Sequence, residues 1–246
     1  MKNLLSLDIA GKMAHFRKFY TNSSSLSYPF PPRTTIIGML AAILGIERDG
    51  YYDLFSRESA KIGVRIMGSS RSIIQTVNYI NTKELRHLDG SGGGTQIPLE
   101  IILPLDFSNL LVYRIFLTHE DPGVVKEIFS LARERRTKFP LYFGLTEFTA
   151  WIQGVCLYEH EDFEFLKSDG EEVGVFTVLP AKNIQEFSEL ISGIKVHKDR
   201  IPLDFTTKRT LSGACSVIWE ATGKPLKLKI KGEFFRTPEE SGVFLE

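Results

Sequence analysis

The sequence predicts an α+β protein. A β-α-β-β-α-β core of ferredoxin-like order is expected over residues 1–148, and a smaller β-rich domain over 149–246. Three observations predict it. Apolar residues alternate with polar ones at Leu5, Leu7 and Ile9, at Ile62, Val64 and Ile66, and at Leu111, Tyr113, Ile115 and Leu117, the period-two mark of half-buried strands. Between these strands, Ile36–Leu44 is apolar on nearly every face and Val124–Ala132 carries apolar residues at helical spacing. From Ala150 onward strand patterns dominate, at Trp151–Tyr158, Val173–Val178, Ala214–Ala221 and Leu226–Phe235, with one short helix expected near Ile184–Ile191. A chain of 246 residues can bury a sizeable core.

Taken in order, the first strand leads into Ala10–Tyr20, a loop mixing basic and aromatic residues. In Tyr28–Gly45, Pro29, Pro31 and Pro32 hold the entry extended, because each fixes its own φ and biases the residue before it away from helix. Thr34 and Thr35 are the expected caps. The helix start beside Arg33 is expected to face outward and attract anions, and Gly45 to stop the helix. Ile62–Ile66 then gives the second strand. Residues 69–100 break the rhythm and read as an excursion with a glycine-rich tip, Gly90–Gly94. No Gly-Lys-Ser/Thr follows that run, so it is not a triphosphate loop. After the third strand, Asp121-Pro122-Gly123 makes a turn into the second helix, with Arg133, Arg135 and Arg136 outward. A strand within Leu141–Leu145 or just after it completes the core.

Lys+Arg and Asp+Glu both number 30, so net charge names no partner. Its distribution says more. Residues 159–172 are acidic, whereas the last third is basic, and the final strand alternates Leu226, Leu228 and Ile230 with Lys227, Lys229 and Lys231. Such segregation suits one face for a polyanion and another for a protein, or merely clustered solvated faces. Cys156 and Cys215 are far apart, have no metal-ligand spacing and are expected to be buried thiols. The charged opening and the lack of a long apolar run predict a reduced, cytoplasmic protein without membrane contact.

Lys12, Arg17 and Lys18 can hold phosphates, while Phe16 and Tyr20 can stack on unpaired bases or pack in the core. His15 sits among them and suits a hydrogen-bonding contact better than a general base. Lys208 and Arg209, in Phe205-Thr-Thr-Lys-Arg-Thr210, combine with hydroxyls in a way suited to phosphates or a subunit groove. The five histidines show no ligand spacing, and no nucleophile signature is present, so neither metal, cofactor nor catalysis is expected.

Four stretches resemble the fifth Cas family, the RAMP-superfamily subunits that cap one end of type I CRISPR surveillance (Cascade) complexes. They are Leu5-Ser-Leu-Asp-Ile-Ala-Gly11 with Phe16-Arg17, then Tyr28–Gly45, then Pro140-Leu-Tyr-Phe-Gly-Leu-Thr-Glu-Phe-Thr-Ala150, and last Ile201-Pro-Leu-Asp-Phe-Thr-Thr-Lys-Arg209. The resemblance implies an RRM-like first domain with an inserted β-thumb at about residues 69–102, and a protein of the kind found in subtype I-B. It implies a non-catalytic subunit that binds the crRNA 5′ handle, contacts the backbone and large subunits, and meets target DNA indirectly. Gly11, Phe16 and Arg17 would then lie on the handle-binding loop, Arg33, Thr34 and Thr35 at the helix start, and Arg71, Arg86 and His87 on the thumb. One branch of the family cleaves precursor RNA without metal, which makes an endoribonuclease the competing reading. A free-standing RRM protein lacks its aromatic motifs in Leu4–Ile9 and Leu111–Thr118.

Overall fold

The computed structural model describes residues 3–21, 24–82, 84–188 and 193–246. In chain order the elements are β1 (Leu4–Gly11), β2 (Phe16–Arg17), β3 (Ser27–Tyr28), α1 (Arg33–Leu44), β4 (Ala60–Ile66), β5 (Ser70–Ile80), β6 (Gly94–Pro104), β7 (Leu111–His119), α2 (Pro122–Arg133), β8 (Leu141–Tyr142) and β9 (Thr149–Tyr158). Then follow β10 (Glu164–Val175), β11 (Leu179–Pro180), β12 (Ile184–Phe187), β13 (Val196–Phe205), β14 (Leu211–Glu220), β15 (Leu226–Arg236) and β16 (Ser241–Gly242).

The first sheet runs β4-β7-β1-β9-β8, all antiparallel, with α1 and α2 joined to it by a common core. Its first four members give the ferredoxin-like strand order, and the alternating apolar positions are buried. Leu4 and Phe116 on the opposite face are covered too, by Tyr158, Phe163, Phe235 and Phe244, so these strands are more than half-buried. Leu5, Leu7 and Ile9 are buried together with Ile62, Val64 and Ile115. The fourth core strand is β9, pairing Leu7 with Val155, so the chain leaves the first sheet after Tyr158, and the division expected at 148/149 falls inside that sheet.

Helix α1 is apolar all round because it is enclosed. Ile36, Ile37, Leu40 and Ile43 are wholly buried. Its start corrects the expected cap. Pro32, extended at φ −65° and ψ 162°, is the N-cap and no side chain caps the helix. The Pro32 carbonyl accepts from the N–H groups of Thr35 and Ile36, so Thr34 and Thr35 lie inside the first turn. The proline fixes the entry two residues earlier than a cap at Thr34 would. Gly45 ends the helix in the left-handed region at φ 72°. In α2, Asp121 is the cap and accepts from the Gly123 N–H.

Residues 70–104 form a two-stranded hairpin, β5 with β6, in unbroken register from Ser70 opposite Pro104 to Ile80 opposite Gly94. A short 3-10 turn, Leu85–Asp89, lies at its tip. The rest of the chain forms a sheet of β10, β16, β15 and β12 and a second of β11, β14 and β13. Two expectations change here, and one strand, β13, is added to those expected. Ile184–Phe187 is a strand paired with β15, not helix, Ser188 continues the contact by donating its N–H to the Lys227 carbonyl, and 189–191 lie outside the described residues. Strand β13 carries no simple alternation, and its register against β14 shifts twice just after Pro202. Cys156 is exposed on β9 and Cys215 half-buried, where burial pushes its thiol up to about 11.

Strand pairing also settles the charge segregation. Leu226, Leu228 and Ile230 are buried, but β15 runs against the acidic β10, with Lys231 opposite Asp169 and Lys229 opposite Glu172. Lys229 is 2.7 Å from Glu186, and Arg236 is 3.4 Å from Glu171. Two basic side chains of the strand, Lys229 and Arg236, thus meet a carboxylate within the chain.

Candidate nucleic-acid interface

The loop between β1 and α1 is pinned at several points. Ala14 bridges to Ile102 and Ser25 to Leu99, both on β6. The His15 N–H donates to the Phe143 carbonyl at 3.0 Å. Gly144, at φ 88°, is required here, because a Cβ would run into the His15 carbonyl. Gly11 is similarly constrained, since a Cβ would stand 2.7 Å from the Phe143 ring.

This arrangement leaves a groove of about 1060 Å³. One wall is the loop with His15, Arg17 and Lys18. Another is the hairpin with Tyr79, Gln96 and Pro98. The floor includes Thr34 and Thr35 of α1, with Tyr51 and Tyr52 beyond it, and Arg209 and Leu211 close the far side. Cations, hydroxyls, an amide and aromatic rings thus share one concave surface, which is the chemistry that phosphates and unpaired bases require.

The candidate residues separate on this geometry. His15, Phe16, Arg17, Lys18, Thr34, Thr35 and Arg209 all border the groove. Phe16, however, is 1% exposed and packs edge-on against Tyr113 and Phe143, so its ring belongs to the core and is not open for stacking. His15 is also held. Its Nδ1 lies 2.8 Å from the Glu100 carbonyl and its Nε2 3.1 Å from the Ser25 hydroxyl, so Nδ1–H donates and Nε2 accepts. Burial lowers its pKa, and the Arg17 charge lowers it further against the pull of that carbonyl.

Arg33 departs most from the outward, anion-facing position expected of it. It is wholly buried, ion-paired with Asp204, and donates to the carbonyls of Leu203, Phe55 and Ala60. It ties α1 to β13. Lys12 is exposed at the base of the hairpin, where its ammonium reaches the carbonyls of Phe107 and Asn109. Arg71 stacks on the Phe107 ring in the same region, 4.8 Å from its centroid. Arg86 pairs with Glu84 at the hairpin tip, next to His87. Lys208 is exposed in the turn before β14. Tyr20 is exposed beside the groove and donates to Asp199 at 2.7 Å.

Asp199 lies 2.8 Å from the Lys18 ammonium. Burial alone would lower Lys18, but the hydrogen-bonded Asp199 carboxylate outweighs it and raises the pKa above the usual lysine value. Burial likewise works to raise Asp199, but Lys18 and Tyr20 hold it below the usual carboxylate range. Tyr51, Tyr52, Tyr79, Gln96 and Asp199 had no signal in the sequence, because each reaches the groove only through a long-range contact. Among the described residues no cluster of His, Cys, Asp or Glu is placed to hold a metal ion, and no helix is long and apolar enough to cross a membrane.

The fold and groove define a ferredoxin-like α+β protein elaborated by a long hairpin and by separate C-terminal β-sheets. The family model described as "CRISPR-associated protein (Cas_Cas5)" matches residues 4–217, and the chain belongs to that family. Among curated proteins, none matches. The structure described as "Crystal structure of a CRISPR protein from Archaeoglobus fulgidus" is similar over 97% of this chain and 98% of that chain, with TM-score 0.60 and 13% identity, which shows a shared fold. Weaker likeness is found to a chain of a "CRISPR RNA-guided surveillance complex" (TM-score 0.48, 15% identity, 91% of each chain). It is also found to "Crystal structure of Cas protein" (TM-score 0.47, 15% identity, 89% of this chain and 95% of that chain).

Proposed function

We propose that this chain is a non-catalytic, RNA-binding subunit of a type I CRISPR surveillance complex. It holds the 5′ handle of the crRNA in the groove, caps the backbone filament and docks the large subunit, with the hairpin Ser70–Pro104 as the thumb. One observation carries the reading. Arg17, Lys18, Thr34, Thr35, Tyr79, Gln96 and Arg209, from four separate parts of the chain, line one groove of about 1060 Å³. Membership of the Cas family supports it. The occupied state of both His15 ring nitrogens weighs against that residue as a free general base.

The test is incubation of the purified protein with labelled repeat RNA in EDTA, read on denaturing and native gels. Intact RNA with a native-gel shift is expected. Discrete cleavage within the repeat, lost in His15→Ala or His87→Ala, would instead establish the processing nuclease.

A further inference from the structure

Two of the groove's cations are already paired. Arg209 Nε donates to Asp49 Oδ1 at 2.9 Å, and the Tyr52 hydroxyl donates to the same oxygen at 2.9 Å. Lys18 is held 2.8 Å from Asp199 Oδ2, while Oδ1 accepts from Tyr20 and from the Arg200 N–H, both at 2.7 Å. Among the described residues, Arg17 is then the groove-lining cation with no carboxylate against it. Its guanidinium donates to the Thr21 carbonyl at 3.3 Å.

The backbone supports the first pair from both sides. Asp49 and Arg209 are two of the three described non-glycine residues at positive φ, at 67° and 59°. Such a conformation is uncommon without glycine and has to be held. The Arg209 N–H donates to the Thr206 carbonyl at 2.8 Å, closing the turn that presents the guanidinium to the groove. A carboxylate oxygen against a cation offers the same negative acceptor that a phosphate oxygen offers. Both pairs remain reachable from solvent, the Arg209 side chain at 52% exposure and Lys18 at 20%. The exposed Arg209–Asp49 pair is weak enough to be exchanged for a polyanion. The Lys18–Asp199 pair, with its side chains at 20% and 14% exposure, is held more firmly and yields to an anion that restores the same contact.

We propose that Asp49 and Asp199 are stand-ins for RNA phosphates. In the RNA-free protein they neutralise Arg209 and Lys18, and on binding they yield these cations to two phosphates of the strand. The inference rests on the reading that the groove holds RNA, and it names two phosphate subsites within it. The exchange also discriminates between ligands. A small anion gains one cation and must displace one aspartate, whereas a strand that spans both subsites displaces the second within an already formed complex.

The experiment measures binding of the full chain to fluorescent single-stranded repeat RNA across a salt series. Asp49→Asn and Asp199→Asn keep an acceptor oxygen for the tyrosines and remove only the charge, and asparagine tolerates positive φ. Each is expected to bind about three- to tenfold more tightly at low salt, with the log–log salt slope steeper by about 0.7 for each freed cation. Arg209→Ala in the Asp49→Asn background should abolish that variant's gain. Glu186→Gln, which breaks the Lys229 pair on β12, should change nothing. Unchanged or weaker binding by Asn variants that melt like wild type overturns the proposal. Should an Asn variant melt early, Asp49→Gly, which fits the backbone, and Asp199→Ser carry the same test. Absence of repeat-RNA binding by the wild type would overturn the functional reading alone. Elution from heparin then decides the clasp: later elution of the Asn variants supports it and identical elution overturns it.

Discussion

Phe16 and Arg17 are neighbours with opposite roles. The Phe16 ring is enclosed between Tyr113 and Phe143, and Phe16→Ala should cost about 3–5 kcal/mol, seen as a fall in denaturant midpoint. Arg17 is exposed on the groove side, so Arg17→Ala should leave the melting temperature unchanged and weaken RNA binding by about 1 kcal/mol, measured by anisotropy. Sequence spacing could not separate the two. Phe16 and Phe19 at i and i+3 suit either a loop anchor or a stacking pair, and the deciding partners lie about a hundred residues away. His15 supplies a pH test. Its folded pKa is lowered from 6.5, so the unfolded chain binds a proton that the native state refuses. Stability is then intact above pH 6.5 and declines as pH falls below it. Thermal melting from about pH 7 to about pH 5 should show this decline, and His15→Gln should flatten it. Arg33 was legible as a helix-start residue but not as a buried one, because its partner Asp204 is 171 positions further on.

Local periodicity was enough to read those elements whose burial repeats along the chain. The strands at Leu5–Ile9, Ile62–Ile66 and Leu111–Leu117 and helix α2 stood out because their apolar residues repeat toward a continuous core, and α1 because it is apolar on nearly every face. Elements defined by their neighbours did not. Ile184–Phe187 is a strand only because β15 offers it an edge, and β13 changes register twice just after Pro202, which spoils its period. The excursion at 69–100 was visible as lost rhythm, and it is a hairpin whose outer half packs on little else. Replacing residues 76–98 by a short turn should therefore lower the melting temperature by only a few degrees, since Leu99, Ile101, Ile102 and Leu103 remain. The same change removes Tyr79, Gln96 and Pro98 from the groove and should weaken RNA binding more than Arg17→Ala does. The turn after β8 allows no such freedom. Gly144→Ala should prevent folding of the loop against Phe143, read as loss of soluble protein or a large drop in melting temperature.

For the whole molecule, equal numbers of acidic and basic residues conceal a local arrangement. Lys229 and Arg236 of β15 are ion-paired with Glu186 of β12 and Glu171 of β10, so Lys229→Ala with Arg236→Ala should leave RNA affinity within about twofold of wild type, in contrast to changes around the groove. This could not be read from the sequence, because the acidic and basic segments neutralise each other only once β10 and β15 are paired. The order of the first sheet has a further consequence. Its central strand, β1, is the first to be synthesised. Leu7 is opposite Ile115 on one side and Val155 on the other, so neither neighbour exists until more than a hundred further residues have been made. Until then a strand rich in leucine and isoleucine has both edges open, and nearly every contact of the finished sheet is long-range. Such a topology folds slowly, on the scale of milliseconds to seconds. The emerging chain therefore leaves apolar strand edges open for longer than a locally paired strand would, the condition in which chains aggregate and chaperones act.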